Sequence, residues 1–378
     1  MSDTGPSQHD PSAPASVQPA ESLDELNEGE RWWRDHHAWL AERGYALRPR
    51  YKPGWTPSWK ARPKAFAMDY EDWYPARRAF LLDAVRVSDN TLVVLKQVKK
   101  SWNPDEVKLH QYLCSEPLLS DVRNHTVPLL EVIQVPDDDD VTILVLPLLR
   151  ACNSPPWLSI GEVVSFLTQI FEGMQFMHEL HLAHRDCQRP NIMFDPRPIY
   201  PNMFHPRVPD RARDWNRRAK HYTRTSHPVK YYFIDFGLSR QYDPTQGPPR
   251  EHPIPGGDKT VPEFKNWSGE LLDPFPTDIY YLGNMIRSDI LQQYRGVEFL
   301  APLVRDMVQN DPTKRPSIQE VSRRFEELVK SLGYWRLRAR LVPREEDSLE
   351  ALGRNIAHTY RTTCYILARK PPIPRPPP

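Results

Sequence analysis

Two short stretches near the middle of the chain hold the residues best suited to chemistry. The first is 184–191 (HRDCQRPN), and the second is 235–237 (DFG), which begins 44 positions after Asn191. Phosphoryl transfer needs a carboxylate that orients the attacking hydroxyl, oxygen ligands that hold Mg²⁺ on the phosphates, and a cation that positions them. Asp186 can supply the carboxylate, while Asn191 and Asp235 can supply the metal ligands. These residue types in this order predict phosphoryl transfer.

The elements around both stretches are predicted from apolar periodicity, which changes at about residue 150. Before residue 150, alternating or continuous apolar runs mainly predict strands. After it, apolar residues spaced three and four positions apart predict helices. A long predicted helix ends shortly before the first stretch, and the apolar run YYFID leads into the second. The predicted strands are 79–87, 91–98, 127–135 and 141–149, and the predicted helices are 105–113, 159–180, 276–287, 294–309 and 318–331.

Both ends of the chain differ in composition from its middle. Residues 1–28 are rich in Ser, Pro, Asp and Glu, and we expect them to be disordered because they cannot bury enough apolar surface. The pattern ERWWRDHHAWLAERG predicts a helix over 30–44, and a Trp/Pro-rich strap continues it to residue 66. The strap is interpreted as packing on a neighbouring surface, with a partner-binding arm as the alternative. Residues 369–378 (RKPPIPRPPP) predict a polyproline-like tail.

The overall composition argues against several classes of protein. The 50 basic and 49 acidic side chains give a net charge of +1, which does not favour nucleic-acid or membrane-surface binding. The four cysteines form no CxxC pair and predict reduced thiols rather than disulfides or a zinc site. The N-terminus is polar, and the longest apolar stretch, 141–149, is too short to span a bilayer. We therefore expect a soluble intracellular protein, cytoplasmic or nuclear.

Six segments in the right order make residues 70–335 resemble a eukaryotic-type protein kinase domain. These segments are 93–96 (VVLK), 184–191, 235–237, 261–263 (VPE), 278–283 (DIYYLG) and 311–316 (DPTKRP). In more detail, the segments WWRD, HYTR, FIDFGLSR, GGDKTVPEF and DPFPTD resemble kinase-like proteins of mushroom-forming (basidiomycete) fungi. That narrower resemblance implies nothing about the substrate.

The resemblance to kinases implies an α+β fold of two lobes that bind ATP and Mg²⁺ between them. Residues 67–147 would form a small antiparallel sheet with one main helix, and 148–335 would form a larger helical lobe. Residues 29–66 would precede the lobes as the helix and strap, and 336–378 would follow them as a C-terminal extension.

The same resemblance implies roles for individual residues. Lys96 would contact the ATP phosphates with Glu106 as its partner, and Asp186 would orient the hydroxyl. Asn191 and Asp235 would bind Mg²⁺. In the late helical lobe, an ion pair would join Arg315 to Glu263. The residues implied at the adenine site, with Leu146 as gatekeeper, are Leu81, Val94, Leu146, Leu148, Leu149 and Met193.

The glycine-rich loop of kinases is missing, since no glycine occurs between Gly54 and Gly161. The three glycine positions, counted back from Lys96, are occupied by Tyr74, Ala76 and Ala79. Glycine normally serves there because backbone N–H groups must approach the phosphates closely. One hypothesis is that the guanidinium groups of Arg77 and Arg78 replace these donors, and a solvated basic turn is the alternative.

Three further positions depart from the kinase pattern. Gln188 replaces the lysine that Ser/Thr kinases place near the transferred phosphate, and Gly256 replaces the threonine that bonds to that lysine. We interpret these two changes as coupled, because a lone buried lysine would be costly. His110 lies at a helix position that is normally apolar.

Arg185 indicates control by phosphorylation of the segment that follows 235–237, for which the candidate sites are Ser239, Tyr242, Thr245 and Thr260.

A basic insertion lengthens the chain between the two catalytic stretches. Residues 196–230 contain nine Lys/Arg against two Asp, although the whole chain is nearly neutral. A solvated loop is the default interpretation. A docking surface for an acidic partner is the alternative.

Three functions remain open from the sequence. The first is a protein kinase that transfers the γ-phosphate of ATP to a protein hydroxyl, with Ser/Thr favoured over Tyr. The second is a weakly active or inactive kinase-like scaffold, which the missing glycines and Gln188 favour. The third is a small-molecule phosphotransferase, which would generally lack the VPE and DPTKRP segments. The substrate and the oligomeric state are left open.

Overall fold

The computed structural model describes residues 24–61, 66–136, 138–254, 256–265, 267 and 269–376. The chain has a mixed α/β fold with small antiparallel sheets and divides into two compact units, Met1–Leu92 and Val93–Pro378. This division differs from the boundaries at 66/67 and 147/148 that the sequence predicts. Most of the predicted disordered segment, part of the strap and the end of the tail lie outside the described residues.

The first unit combines two short helices with a two-stranded antiparallel pair. Its helices are α1 (Glu28–Asp35) and α2 (His37–Glu42), and its strands are β1 (Tyr45–Leu47) and β2 (Leu81–Arg86). Asn27 and Glu30 form a capping box that starts α1, with Asn27 accepting from the Glu30 amide at 2.9 Å. The single helix predicted for 30–44 is therefore two helices that meet at His36.

A buried arginine organises the interior of the first unit. Arg50 is fully buried, bonds through Nε to Glu30 Oε1 at 2.6 Å, and stacks its guanidinium over Trp55. Trp33 and Tyr51 are also fully buried, so aromatic side chains of both the helix and the strap contribute to this interior. Burying a guanidinium is tolerable here because the carboxylate and nearby carbonyls satisfy its donors.

The second unit begins with strands that pair antiparallel around a buried central strand. Its first strands are β3 (Thr91–Lys99), β4 (Glu131–Gln134) and β5 (Val141–Pro147), and β5 pairs with both of the others. Residues 141–146 are all buried, which agrees with the continuous apolar run in the sequence. Helix α3 (Glu106–Leu113) follows β3 at the predicted position.

The remainder of the second unit is mainly helical. Ser159 caps the long helix α4 (Ile160–Glu179), most of which is buried. Seven short strands also belong to this part of the chain. One precedes α4 and the others follow it: β6 (Arg150–Ala151), β7 (Leu182–Ala183), β8 (Ile192–Phe194), β9 (Tyr231–Phe233), β10 (Arg240–Gln241), β11 (Tyr294–Arg295) and β12 (Val342–Pro343). The helices after α4 are α5 (Pro262–Lys265), α6 (Phe275–Ile286), α7 (Ala301–Met307), α8 (Ile318–Ser331), α9 (Tyr334–Arg338) and α10 (Ser348–Leu367).

Two helices differ from the sequence-based predictions. The helix predicted for 294–309 begins only at Ala301, because β11 and Gly296 with φ +88° occupy its first part. Helix α10 was not predicted within the C-terminal extension. None of its residues is buried, so it lacks the buried apolar face from which helices are predicted. Among the described residues, no helix is long and apolar enough to cross a membrane.

Candidate functional site

Regular elements of the second unit position each predicted catalytic residue. Lys96 lies on β3, and Glu106 is the first residue of α3. Asp186 and Asn191 belong to the loop between β7 and β8, and Asp235 follows β9 after one residue. These five residues, which are far apart in sequence, belong to one compact unit.

Lys96 bridges two carboxylates. Its Nζ lies 2.5 Å from Glu106 Oε1 and 2.6 Å from Asp235 Oδ1, and Lys96 and Glu106 are both buried. Burial by itself lowers the pKa of Lys96, but the charges of Asp235 and Glu106 outweigh it and raise the pKa above its ordinary value. Burial tends to raise the pKa of Asp235, and the adjacent Lys96 ammonium overcomes this and lowers it. Lys96 is therefore a fixed cation, and Asp235 is an ionised carboxylate.

Asp186 accepts hydrogen bonds through both of its carboxylate oxygens. Oδ2 accepts from Asn191 Nδ2 at 2.7 Å, and Oδ1 accepts from Gln188 Nε2 and from the Gly257 amide, each at 2.9 Å. Burial raises the pKa of the Asp186 carboxyl, although the Gly257 amide acts in the opposite direction. The carboxylate is thus held in one orientation and is more basic than an exposed aspartate.

Asp278 at the start of α6 anchors the loop that carries Asp186. It is completely buried, and its two oxygens accept from the backbone amides of His184 at 2.8 Å and Arg185 at 2.7 Å. His178 Nε2 lies 3.1 Å from the same carboxylate. The loop makes its turn with Arg185 at φ +66°, a conformation that costs a non-glycine residue energy. Asp278 therefore stabilises this conformation of the loop.

The absence of side chains at Gly256 and Gly257 leaves room for the contacts of the Asp186 carboxylate. A Cβ on Gly257 would lie 1.7 Å from Gln188 Nε2, and a Cβ on Gly256 would lie 2.6 Å from Asp186 Oδ1. Any other residue at either position would displace the contacts of the carboxylate. The contact with Gln188 depends on Gly257 and not on Gly256, so the coupling of Gln188 with Gly256 stays a prediction. Gly257, whose amide also donates to Asp186, was not singled out from the sequence.

Asn191 and Asp235 are chemically suited to Mg²⁺. Asn191 donates through Nδ2 to both the Oδ2 and the carbonyl of Asp186, so its amide oxygen is the atom that can bind a cation. Asp235 has a 46% exposed side chain and φ +65°. Mg²⁺ commonly takes one or two protein oxygens and completes its shell with phosphates and water. Within the described part of the chain, no group of three or more His, Cys, Asp or Glu side chains is placed to hold a metal.

Four of the predicted adenine-site residues lie on or directly after β3 and β5, and a fifth lies on β8. Val94 on β3 stands opposite Leu146 on β5 in the strand register. Leu146, Leu148 and Leu149 are all buried. Met193 on β8 is half-buried and opposite Ala151 on β6. Leu81, Arg77 and Arg78 belong to the first compact unit.

The residues that replace the glycine-rich loop form a tight turn before β2. The Leu81 amide donates to the Arg78 carbonyl at 3.2 Å, and both Arg77 and Arg78 are exposed. Trp33 Nε1 of α1 donates to the Ala79 carbonyl at 2.8 Å, so the N-terminal helix supports this turn. The exposed arginines agree with either interpretation drawn from the sequence.

His110 makes polar and aromatic contacts at its unusual position in α3. It is buried, its Nε2 donates to the Val127 carbonyl at 2.8 Å, and its ring lies 5.4 Å from that of Phe236. Burial lowers the pKa of His110 to about 4. The imidazole is therefore neutral at neutral pH and supports the DFG phenylalanine.

Arg185 already has an acidic partner in the segment after the DFG residues. Its Nη1 lies 2.9 Å from Glu251 Oε2, and Arg240 Nη1 lies 2.7 Å from the other oxygen of Glu251. Glu251 was not predicted from the sequence, because no local pattern marks a residue that acts across 66 positions. Of the predicted phosphorylation sites, Ser239 is buried and donates to the His184 carbonyl, whereas Thr245 is exposed.

Two other predicted features can be located in the second unit. Arg315 is fully buried and pairs with Glu263 at 2.6 and 2.7 Å, as the resemblance to kinases implies.

The insertion 196–230 is packed rather than solvated at many positions. Its buried residues are Pro196, Ile199, Tyr200, Phe204, His205, Ala212, Arg224, Thr225 and Val229.

No protein-family model matches the chain, and a search of curated proteins finds no significant relative.

Proposed function

We propose that this chain is a protein kinase of bilobal fold that transfers the γ-phosphate of ATP to a protein hydroxyl, with serine or threonine as the acceptor. The observation that carries the proposal is the bridge from Lys96 to Glu106 and Asp235. It joins a strand, a helix and the DFG segment at the predicted residues. Such an arrangement orders a cation beside a carboxylate that can bind a metal ion.

The chain's own residues have distinct tasks in this reaction. Bound Mg·ATP would supply the phosphoryl group that is transferred, and its Mg²⁺ would offset the negative charge of the phosphates. Lys96 positions phosphate oxygens, and Glu106 keeps the ammonium in place. Asp186 orients the acceptor hydroxyl and accepts its proton, which its raised pKa favours. Asn191 and Gln188 fix the direction of the Asp186 carboxylate.

The packing around the loop also supports the proposal. Asp278 holds two consecutive amides of the loop, and Arg315 holds Glu263 in the VPE segment. Both contacts use positions that the resemblance to kinases assigns to structural roles. Three donors fix the Asp186 carboxylate, which suits a group that orients a hydroxyl.

The test is thermal unfolding of the full chain with and without millimolar Mg·ATP. A ligand that binds the native state at 100 times its Kd stabilises it by about 2.7 kcal/mol. We expect a clear rise in Tm for the wild type and none for Asp235→Asn. Asp139→Asn is the matched control, because that side chain is exposed and makes no ion pair among the described residues, so it should leave the rise unchanged.

A second measurement separates binding from catalysis. Asp186→Asn should keep the rise in Tm with Mg·ATP but abolish phosphorylation of a peptide library that the wild type modifies. An equal Tm of the wild type with and without Mg·ATP would reject the kinase and favour the scaffold. Phosphorylation by Asp186→Asn at the wild-type rate would reject the assigned role of Asp186.

A further inference from the structure

The second unit contains a cavity of about 820 Å³ beside residues 184–191, which we call the catalytic loop. Its walls come from the segment after β6, the catalytic loop, the end of the insertion, the turn after α6, and the extension that ends in α10. The insertion and α10 contact each other directly, since Thr223 Oγ1 lies 2.6 Å from the Tyr365 hydroxyl. Two segments outside the six kinase-like motifs therefore build much of this cavity.

The lining is positively charged. It contains five arginines and two carboxylates, which are Arg189, Arg224, Arg340, Arg354, Arg361, Glu162 and Asp289. A lining with this excess of arginine attracts anionic groups, and guanidinium groups bind carboxylates and phosphates with two parallel hydrogen bonds.

The arginines differ in how much of their charge is already compensated. Glu346 pairs with both Arg340 and Arg354, at 2.5 and 2.9 Å. Arg361 has no salt bridge among the described residues. Arg224 is buried and donates to the carbonyls of Pro155 and Cys152, and its Nε has no hydrogen-bond partner. Arg361 and Arg224 are therefore the two lining arginines without a salt bridge among the described residues, against one lining carboxylate, Glu162, that also has none.

Arg189 connects the cavity to the catalytic loop. It lies three positions after Asp186, and its Nε is held 3.0 Å from Asp289 Oδ1 on the cavity wall. Three residues of extended chain reach about 10 Å. A peptide whose hydroxyl sits at Asp186 can thus place its neighbouring side chains in the cavity.

We propose that the cavity binds acidic side chains of the protein substrate next to the acceptor hydroxyl, with Arg361 as a determinant of specificity. The inference rests on the proposed function, since it names the substrate class of that site. It also gives the basic insertion a role, because the insertion forms one wall and Arg224 fixes it to the segment after β6.

The experiment measures peptide binding without turnover. Full-length Asp186→Asn is titrated with two labelled serine peptides, one flanked by glutamates and the other by lysines, and fluorescence anisotropy reports binding. We expect the acidic peptide to bind at least tenfold more tightly. Adding Arg361→Gln should weaken its binding about three- to tenfold, as expected for one half-exposed ion pair. Arg369→Gln, an exposed arginine beyond α10, is the control and should change nothing.

The outcomes separate this inference from the proposed function. Equal binding of the two peptides, or no effect of Arg361→Gln, would overturn the inference even if the wild type phosphorylates peptides. Arg361-dependent binding of tripolyphosphate without any preference between the peptides would also overturn it, in favour of a small-anion site. Arg361-dependent binding of the acidic peptide would support the cavity, even if the wild type failed to phosphorylate any peptide and the kinase proposal fell.

Discussion

His110 should make the stability of this protein depend on pH between 7 and 5. The unfolded imidazole titrates near pH 6.5, whereas burial lowers the pKa of His110 in the folded chain to about 4. Between these values the unfolded chain binds a proton that the folded chain does not. His110 therefore has little effect on the free energy of unfolding above pH 7. It lowers this free energy as the pH drops through 6.5 towards 4.

The size of this effect follows from the two pKa values. At pH 5 the unfolded imidazole is almost fully protonated and the folded one is mostly neutral, so the free energy of unfolding falls by about 2 kcal/mol relative to pH 7. Below pH 4 the loss approaches its limit of about 3 kcal/mol. This is a large part of the 5–15 kcal/mol typical of folded domains.

The assay compares urea unfolding of the wild type and His110→Gln at pH 7 and pH 5, followed by tryptophan fluorescence. Glutamine can donate to the Val127 carbonyl but does not titrate. The wild type should lose about 2 kcal/mol more than His110→Gln over this range, because all other titrating groups are common to both proteins. His227→Gln, which removes an exposed histidine, should behave like the wild type. Identical losses in the wild type and His110→Gln would refute the reasoning.

Two more predictions concern the catalytic loop and the segment after it. In Glu251→Gln, Arg185 loses the charge of its partner, which lowers local stability by about 1–3 kcal/mol. The rate of amide hydrogen exchange across 240–254 should therefore rise. The control is Glu270→Gln at an exposed site, which should leave this rate unchanged. Unchanged exchange in Glu251→Gln would show that Glu251 does not hold this segment. In Gly257→Ala, the new Cβ must displace Gln188 from Asp186, so peptide phosphorylation should fall about 100-fold with little change in Tm. Gly333→Ala has open space around its Cβ and serves as the control; wild-type phosphorylation by Gly257→Ala would contradict the steric argument.

Local patterns in the sequence were enough to predict the elements that bury a regular apolar face. The helix predicted for 318–331 coincides with α8, and that for 159–180 differs from α4 by one residue at each end. Where no such face exists, prediction failed. Helix α10 buries no residue, and the first part of the helix predicted for 294–309 is interrupted at Gly296. Apolar periodicity arises from the burial of one face of an element, so a helix without a buried face has only a weak apolar pattern.

The sequence by itself determined which residues could do chemistry, because the stretches 184–191 and 235–237 have short, recognisable patterns and the resemblance to kinases points to Lys96. Lys96, Asp186, Asn191 and Asp235 could all be named before any contact was known. The tertiary structure alone decided which groups surround them. The Gly257 amide donates to Asp186 although the two residues lie 71 positions apart in sequence, and their distance in space depends on how separate elements pack. Such partners carry no local signal, since close packing brings them together only after the chain has folded.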